Sequence, residues 1–451
     1  MTCKPIFYAV ISLFVGLLGS TQMSASDSLS LDLRSALQYA ADHNLKIRSE
    51  RLELLKANAR IKEITGTGLP QISASVDFRD QLQLPVFVFP DPATGEQTPI
   101  SVGTKYQSVG TLSVNQLIFD GTYFIGLKAA KEYKELTKRL LNQNERDLQV
   151  NVSKAYCLAL VSQKNLELIE QNIETLRLTF AETQSLYHEG FVEALDVDRT
   201  RLSLSNLNAQ KSKIEDAYHA AMMLFKFHAG IDLNTPVRLT EDLTLLFNSA
   251  HLSDQEFPSS DANTETNRPE FKVLEQQIEM NALDVSRYKA QRYPTVRGFA
   301  NYQEQFFGDR LNFDPWFTTS FWGLGVQVPI FSSGVNKNQI KQAAITLEQS
   351  KLDLAYGKEL LRMERLNAQR EFITSSKRAD DRSKNYELAK EITQVTTAKY
   401  KLGVGSNLEV MNANQELKTA QTLYFEAMYE LLIAKINLQV ALGEPINLKP
   451  N

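Results

Sequence analysis

The side chains best able to bind a metal or move a proton near neutral pH are five histidines, His43, His188, His219, His228 and His251. A transition-metal site needs several ligands at converging spacings, as in His-Glu-x-x-His or a Cys/His cluster. None of the five stands in such a pattern, so no metal and no cofactor is expected. "GTYFIGLK" (Gly121 to Lys128) has the glycine spacing of a phosphate loop, but Leu127 breaks the Gly-Lys-Ser/Thr ending. Neither G-x-S-x-G nor G-x-G-x-x-G occurs, and catalysis is not expected. Cys157, within "KAYCLAL", reads as a small buried hydrophobe.

A different constellation is written twice. Residues 185–197 read "SLYHEGFVEALDV" and residues 398–410 read "AKYKLGVGSNLEV". Tyr187 answers to Tyr400, Gly190 to Gly403, Leu195 to Leu408, Asp196 to Glu409 and Val197 to Val410, each 213 positions apart. Glycine lets a chain reverse after a helix where a side chain would clash. An acid a few residues later suits the first turn of the next helix, whose dipole favours negative charge.

The elements that must hold these turns are duplicated as well. Each half reads as helix, proline, strand, loop, strand, long helix, tight turn, helix. In the first half a helix from Leu45 to Thr65 ends at "GTGLP", a strand "QISASVDF" follows, and a second strand "YQSVGTLSVNQLIF" leads to Asp120-Gly121. In the second half a helix from Glu270 to Arg292 ends at "RYP", and the strands are "TVRGFANYQEQF" and "WFTTSFWGLGVQVPIF", closed by Ser333-Gly334. Pro70 and Pro294 are 224 apart, so the loop between the first two strands, to about Thr104, is the longer one and should face solvent.

Thr122 to Tyr187 holds no proline, and as one helix would run ~100 Å. Its apolar positions, Leu148, Val152, Ala155, Ala159, Leu166, Ile169, Ile173, Leu176 and Phe180, fall in steps of three, four and seven, a coiled-coil seam. Val335 to Tyr400 is its counterpart. Return helices, Leu195 to His228 and Leu408 to Leu442, are shorter. Each stacked end-on with a pre-proline helix would nearly match the long helix beside it, leaving a junction near the middle, where Gly230 to Pro269 and the C-terminal tail are irregular.

The chain has 451 residues and a net charge of −4, with no long basic block, which argues against a nucleic-acid partner. Lys4 and the apolar run from Pro5 to Gly19 read as a secretory signal over residues 1–26. No other run beyond residue 30 reaches the ~20 residues of a spanning helix. Cys3 leaves with the signal, Cys157 remains alone and no cysteine stands just after the apolar core, so neither an internal disulfide nor a lipid anchor is expected. The remaining organisation is a first repeat over 27–240, a linker over 241–268 and a second repeat over 269–451.

Strands of this length, with an aromatic end at Trp316, Phe317, Phe321 and Trp322, fit either a membrane barrel or a small periplasmic sheet. Four strands cannot close a membrane barrel, and an open edge cannot sit in lipid. A membrane location would therefore require chains to pool strands, into eight, twelve or sixteen.

The signal, the two repeats, the "LP" and "YP" junctions, the "IFDG" and "IFSSG" transitions and the paired Tyr-x-x-Gly turns, in this order, resemble the TolC-like outer membrane efflux proteins. The resemblance spans about residues 29–448. It implies a mainly α fold with a membrane β part, assembled as a trimer with a 12-strand β-barrel continued by a periplasmic α-helical barrel. It implies as partners a second and third copy of the chain, outer membrane lipid, a periplasmic adaptor protein and an inner-membrane transporter. Drugs, small toxic compounds or secreted proteins would pass through. The resemblance places Tyr187, Gly190, Tyr400 and Gly403 at the periplasmic tips, with Tyr400 hydrogen-bonding towards Asp196 to hold them closed. Glu409 would line the entrance as a ring of like charge. Asn412 stands where the family often has a second acid, and Gly405 replaces an arginine of the closing network. The competing reading is a periplasmic coiled-coil adaptor without a membrane barrel.

Overall fold

The computed structural model describes residues 29–90, 95, 97–250 and 265–448; the expected signal lies outside them, as does most of the Ser/Asp/Asn-rich part of the linker. In chain order the elements are β1 (Leu29–Leu31), α1 (Leu33–His43), α2 (Leu45–Thr67), β2 (Gln71–Asp80), β3 (Val86–Pro90), β4 (Gln97–Ser101), β5 (Tyr106–Phe119) and α3 (Gly121–His188). The series continues with α4 (Ala194–Ala229), β6 (Val237–Leu239), α5 (Leu243–Ala250), a 3-10 turn (Glu265–Asn267), α6 (Pro269–Ala290), β7 (Thr295–Gly308), β8 (Trp316–Gln327), α7 (Val335–Lys401) and α8 (Asn407–Ala441).

The long helices are continuous. α3 has 68 residues and α7 has 67, each ~100 Å at 1.5 Å per residue. Asp120 starts α3 by accepting from the Thr122 backbone N–H at 2.8 Å. Along the expected seam Leu148, Val152, Ala155, Ala159 and Ile169 are buried, and Leu166, Ile173, Leu176 and Phe180 are half-buried. The burial fades because only paired helices flank α3 beyond the middle layer.

Shorter helices stack end-on beside the long ones, as expected. α4 and α2 both pack on α3, while α8 and α6 both pack on α7. Asn44 joins the first pair: its Oδ1 accepts from the Lys46 and Ile47 N–H groups at the start of α2, and its Nδ2 donates to the His228 carbonyl at the end of α4, at 2.9 Å. Gly230 follows with φ +73°, and a Cβ there would lie 2.8 Å from the Asn44 backbone nitrogen. Arg146 of α3 holds the end of α8 against the long helix, donating to the Gln439 and Glu444 carbonyls.

The middle layer holds more structure than the sequence indicated. The stretch expected to be irregular contains β6 and α5, and a further helix, α1, precedes Leu45. β1 pairs with β6 in parallel, with Leu31 opposite Leu239. Around them Tyr156, Cys157, Phe225, Leu431, Leu432 and Ile436 form the core, and the Tyr156 hydroxyl donates to the Leu31 carbonyl at 3.2 Å. Burial pushes the Cys157 thiol up to about 12, leaving it an inert hydrophobe. Nearby, the guanidinium of Arg268 is 5% exposed and bonds Glu270 and Glu364, both at 2.8 Å. Arg365 and Glu265 pair at 3.0 Å, fixing the 3-10 turn to α7.

A four-stranded antiparallel sheet in the order β2-β5-β7-β8 makes the other end. β8 stops at Gln327 rather than continuing to Phe331, because Pro329 has no N–H to donate to a ladder. The long loop between β2 and β5 does face solvent, but it is not irregular: β3 and β4 form a hairpin, with Phe87 opposite Ile100.

Candidate functional site

The two repeated turns have the same backbone. Gly190 has φ +81° and Gly403 φ +73°. In the first, Gly190 N–H donates to the Tyr187 carbonyl at 3.0 Å and Phe191 N–H to Leu186 at 2.9 Å; in the second, Gly403 donates to Tyr400 at 3.0 Å and Val404 to Lys399 at 3.1 Å. This is a Schellman C-cap, which satisfies the last carbonyls of a helix and needs a left-handed residue. Tyr187 and Tyr400 donate no side-chain bond here; they occupy the last turns of α3 and α7, and Tyr187 is 43% exposed.

The second turn brings α8 across the first turn of α4. Asn407 is buried, and its Nδ2 donates to the Asp196 carbonyl at 3.1 Å and to Asp196 Oδ1 at 3.0 Å. Arg199 Nη1 lies 3.7 Å from the same carboxylate oxygen. Lys401 adds a bridge to Glu182 at 2.9 Å, joining the end of α7 to α3. The expected bond from Tyr400 to Asp196 is not made within the chain. The Tyr400 hydroxyl is buried without a hydrogen-bond partner, and Asn407, at the first position of α8, is the residue that reaches the acid. Glu409 and Asn412 are exposed while Val410 and Ala413 are buried, and Ser406 caps the helix through the Glu409 N–H at 3.2 Å.

Sequence reading missed Asn407 and Arg199. The one available signal is an asymmetry: the 213-residue offset sets polar Asn407 against Ala194. Above the tips, the four helices α3, α4, α7 and α8 border a cleft of about 820 Å³ of mixed character, lined by Leu176, Leu202, Leu207 and Met411 as well as Asn172, Lys390 and Lys418.

At the far end the sheet has two chemical faces. The register places Ile72, Ala74, Val76 and Phe78 of β2 beside Val114 and Leu112 of β5, Ala300 and Tyr302 of β7 and Trp322 of β8. The other face carries Ser73, Ser75, Asp77 and Arg79, then Ser113 and Thr111, then Asn301, Gln303 and Gln305, with Phe317 and Phe321 of β8 beyond them; the first face also holds Glu304 and Thr318 towards the distal end. Apolar-out and polar-in alternation is what a membrane barrel requires. Strands of 10 to 14 residues are ~33–46 Å long, enough when tilted to cross the ~25 Å apolar band. Aromatics gather at both ends: Phe119, Phe124 and Tyr293 near the helices, and Phe78, Tyr106, Phe306, Phe313 and Trp316 at the distal end. Phe321 and Trp322 sit in mid-strand instead. β2 and β8 are edges, each with one side unpaired in the single chain. No helix among the described residues is long and apolar enough to cross a membrane.

The model of the outer membrane efflux protein family matches residues 36–223 and 262–444. The chain belongs to this family. It is 25% identical over 342 residues to the alkaline protease secretion protein AprF of Pseudomonas aeruginosa, across 74% of this chain and 69% of that protein. It is 21% identical over 454 residues to the outer membrane efflux protein BepC of Brucella suis, across 98% of this chain and 90% of that one. The solved CmeC outer membrane channel of Campylobacter jejuni has the same fold, with a TM-score of 0.73 at 14% identity, over 91% of this chain and 85% of that one. As an outer membrane efflux protein the chain is an exit duct in the outer membrane with a periplasmic extension, a conduit in its role. It shares the fold of solved outer membrane channels, a four-stranded sheet at one end of a long α-helical body. The adaptor reading falls with that membership.

Proposed function

We propose that three copies form one channel whose periplasmic mouth is held closed, within each copy, by Asn407 on Asp196. The observation that carries the assembly is the pair of bare edges on a sheet with one apolar face. In lipid each unpaired N–H or C=O costs several kcal/mol, of order 2–7. Antiparallel pairing of β2 with β8 of the next copy removes both edges at once and leaves none after closure.

At the mouth, the Schellman turns at Gly190 and Gly403 set the two hairpin tips side by side. The Asn407–Asp196 contact holds the second tip on the first, and Lys401–Glu182 supports it. Separating the tips breaks both, so docking of a periplasmic adaptor and inner-membrane transporter opens the duct by competing for these contacts. Exposed Glu409, repeated by three-fold symmetry, would present an acidic ring to entering solutes. The duct serves a tripartite efflux pump or a type I secretion system, both of which need a sealed passage past the periplasm. Residues 1–26 direct export and are removed.

Purified mature protein in mild detergent should have the mass of three chains and conduct ions in a planar bilayer. A polypeptide that stays monomeric in buffer without detergent would refute the proposal.

A further inference from the structure

The arm between β2 and β5 is the least explained surface of the chain. Val86, Phe87, Val88 and Phe89 are consecutive, apolar and each more than half exposed, and Ile100 is 47% exposed. Phe87 and Phe89 share one face, with ring centroids 6.4 Å apart. The arm continues the β2–β5 ladder, because Gln81 N–H donates to the Lys105 carbonyl at 2.8 Å and Val102 N–H to the Pro85 carbonyl at 3.0 Å. It therefore rises beyond the distal end of the barrel strands, where water would meet those side chains. Contiguous exposed apolar surface of this kind marks an interaction site.

Position identifies the occupant. β3 follows β2, and β2 is an edge strand. In the channel proposed above, on which this inference rests, β2 pairs antiparallel with β8 of the next copy. The distal end of β2 then lies beside the start of β8 on that copy, and β3 beside the turn that precedes it. Among its charged residues that turn exposes large apolar side chains, Leu311 at 53% and Phe313 at 45%, and Trp316 at the start of β8 is 43% exposed. Phe313 takes φ +49°, costly for a bulky residue, and this conformation stacks its ring on Trp316 at 6.4 Å and 13°. On the other side, Lys105 N–H donates to Asp309 Oδ1 at 3.1 Å, fixing the base of the arm to its own β7–β8 turn.

We propose that the β3–β4 arm is an intersubunit clasp, whose Phe87 and Phe89 pack on Leu311, Phe313 and Trp316 of a second copy of this chain and lock the outer rim across each barrel seam. The unequal repeats acquire a reason: each copy offers one long arm and one short turn bearing apolar side chains, and the seam joins one to the other.

The test uses the full-length protein in outer membranes, carrying Phe87→Cys with Leu311→Cys, oxidised with copper phenanthroline. Buried Cys157 stays out of the exchange. The double variant should give covalent dimers and trimers on non-reducing gels, and neither single variant should. A Phe87→Cys single variant that cross-links to itself would place the arms together on the axis and overturn the clasp. Separately, Phe87→Ser/Phe89→Ser should lower the dissociation temperature of the trimer by several degrees and leave conductance unchanged. A trimer with no cross-link and an unshifted dissociation temperature overturns the clasp alone; a monomer in mild detergent overturns the channel as well.

Discussion

Asn407 donates its side-chain amide to both the backbone carbonyl and the carboxylate of Asp196, at 3.1 and 3.0 Å, across 211 positions of sequence. One buried side chain thus ties the first turn of α8 to the first turn of α4. Removing the donor leaves a partly buried acid without that partner.

Loss of such a bond costs about 1–3 kcal/mol, a shift of roughly 5- to 150-fold between closed and open mouths. Asn407→Ala is expected to raise open probability or single-channel conductance in a planar bilayer. Tyr400→Phe, which removes a hydroxyl with no partner in the chain, should change it little. The reverse ranking of the two variants would refute the assignment of the latch.

Two glycines with the same left-handed backbone should differ sharply on substitution. A Cβ at Gly190 meets nothing within 4 Å, so Gly190→Ala should cost only the conformational ~1–2 kcal/mol. A Cβ at Gly230 would lie 2.8 Å from the Asn44 nitrogen and 2.9 Å from its Cα, which forces α2 and α4 apart at their joint. Gly230→Ala should sharply reduce the yield of folded channel in outer membranes, while Gly190→Ala should be recovered at near normal levels.

Arg268 is the most buried charge of the middle layer that holds two acids. Burial pulls its pKa down, and the hydrogen bonds to Glu270 and Glu364 more than reverse that. Removing the guanidinium leaves two acids that keep solvent contact, 28% and 45% exposed, so the loss falls below the ~3–5 kcal/mol of a fully buried pair. Arg268→Ala is expected to lower the thermal unfolding temperature markedly, and Arg268→Ala/Glu270→Ala should recover part of the loss. No recovery in the double variant would mean that packing of the long side chain dominates instead.

Burial at the α4–α2 joint lowers the pKa of His228 below its ordinary value. The unfolded chain then binds more protons than the folded one as pH falls below about 6.5. The contribution of His228 to stability is complete above that pH and is lost as pH falls through the folded pKa. His228→Gln should flatten the pH dependence of unfolding below about 6.5; an unchanged profile would show that the imidazole is not responsible.

Much of this architecture is legible in the sequence because it rests on local periodicity. The seam from Leu148 to Phe180 specifies a continuous helix, and the constant offset of 213 from Gly190 to Gly403 and from Gly230 to Gly443 fixes the turns. A hydrogen-bonding pattern that repeats every few residues leaves its trace in every few residues. Strand starts followed from the same logic, while β2 and β7 each run two residues past the expected end and Pro329 ended β8 early.

The sequence alone was therefore enough for the long helices, their shorter partners and the four long strands, their duplication and the places where the chain reverses, but not for α1, α5 or the short strands β1, β3, β4 and β6. Only the tertiary structure decided which residue holds Asp196, that Asn44 joins two stacked helices, that β1 and β6 meet across 208 residues of chain, and that the β2–β5 loop is an apolar arm. Each of these depends on side chains or short strands brought together from distant positions, and a contact between two distant residues imposes no spacing that either neighbourhood must obey.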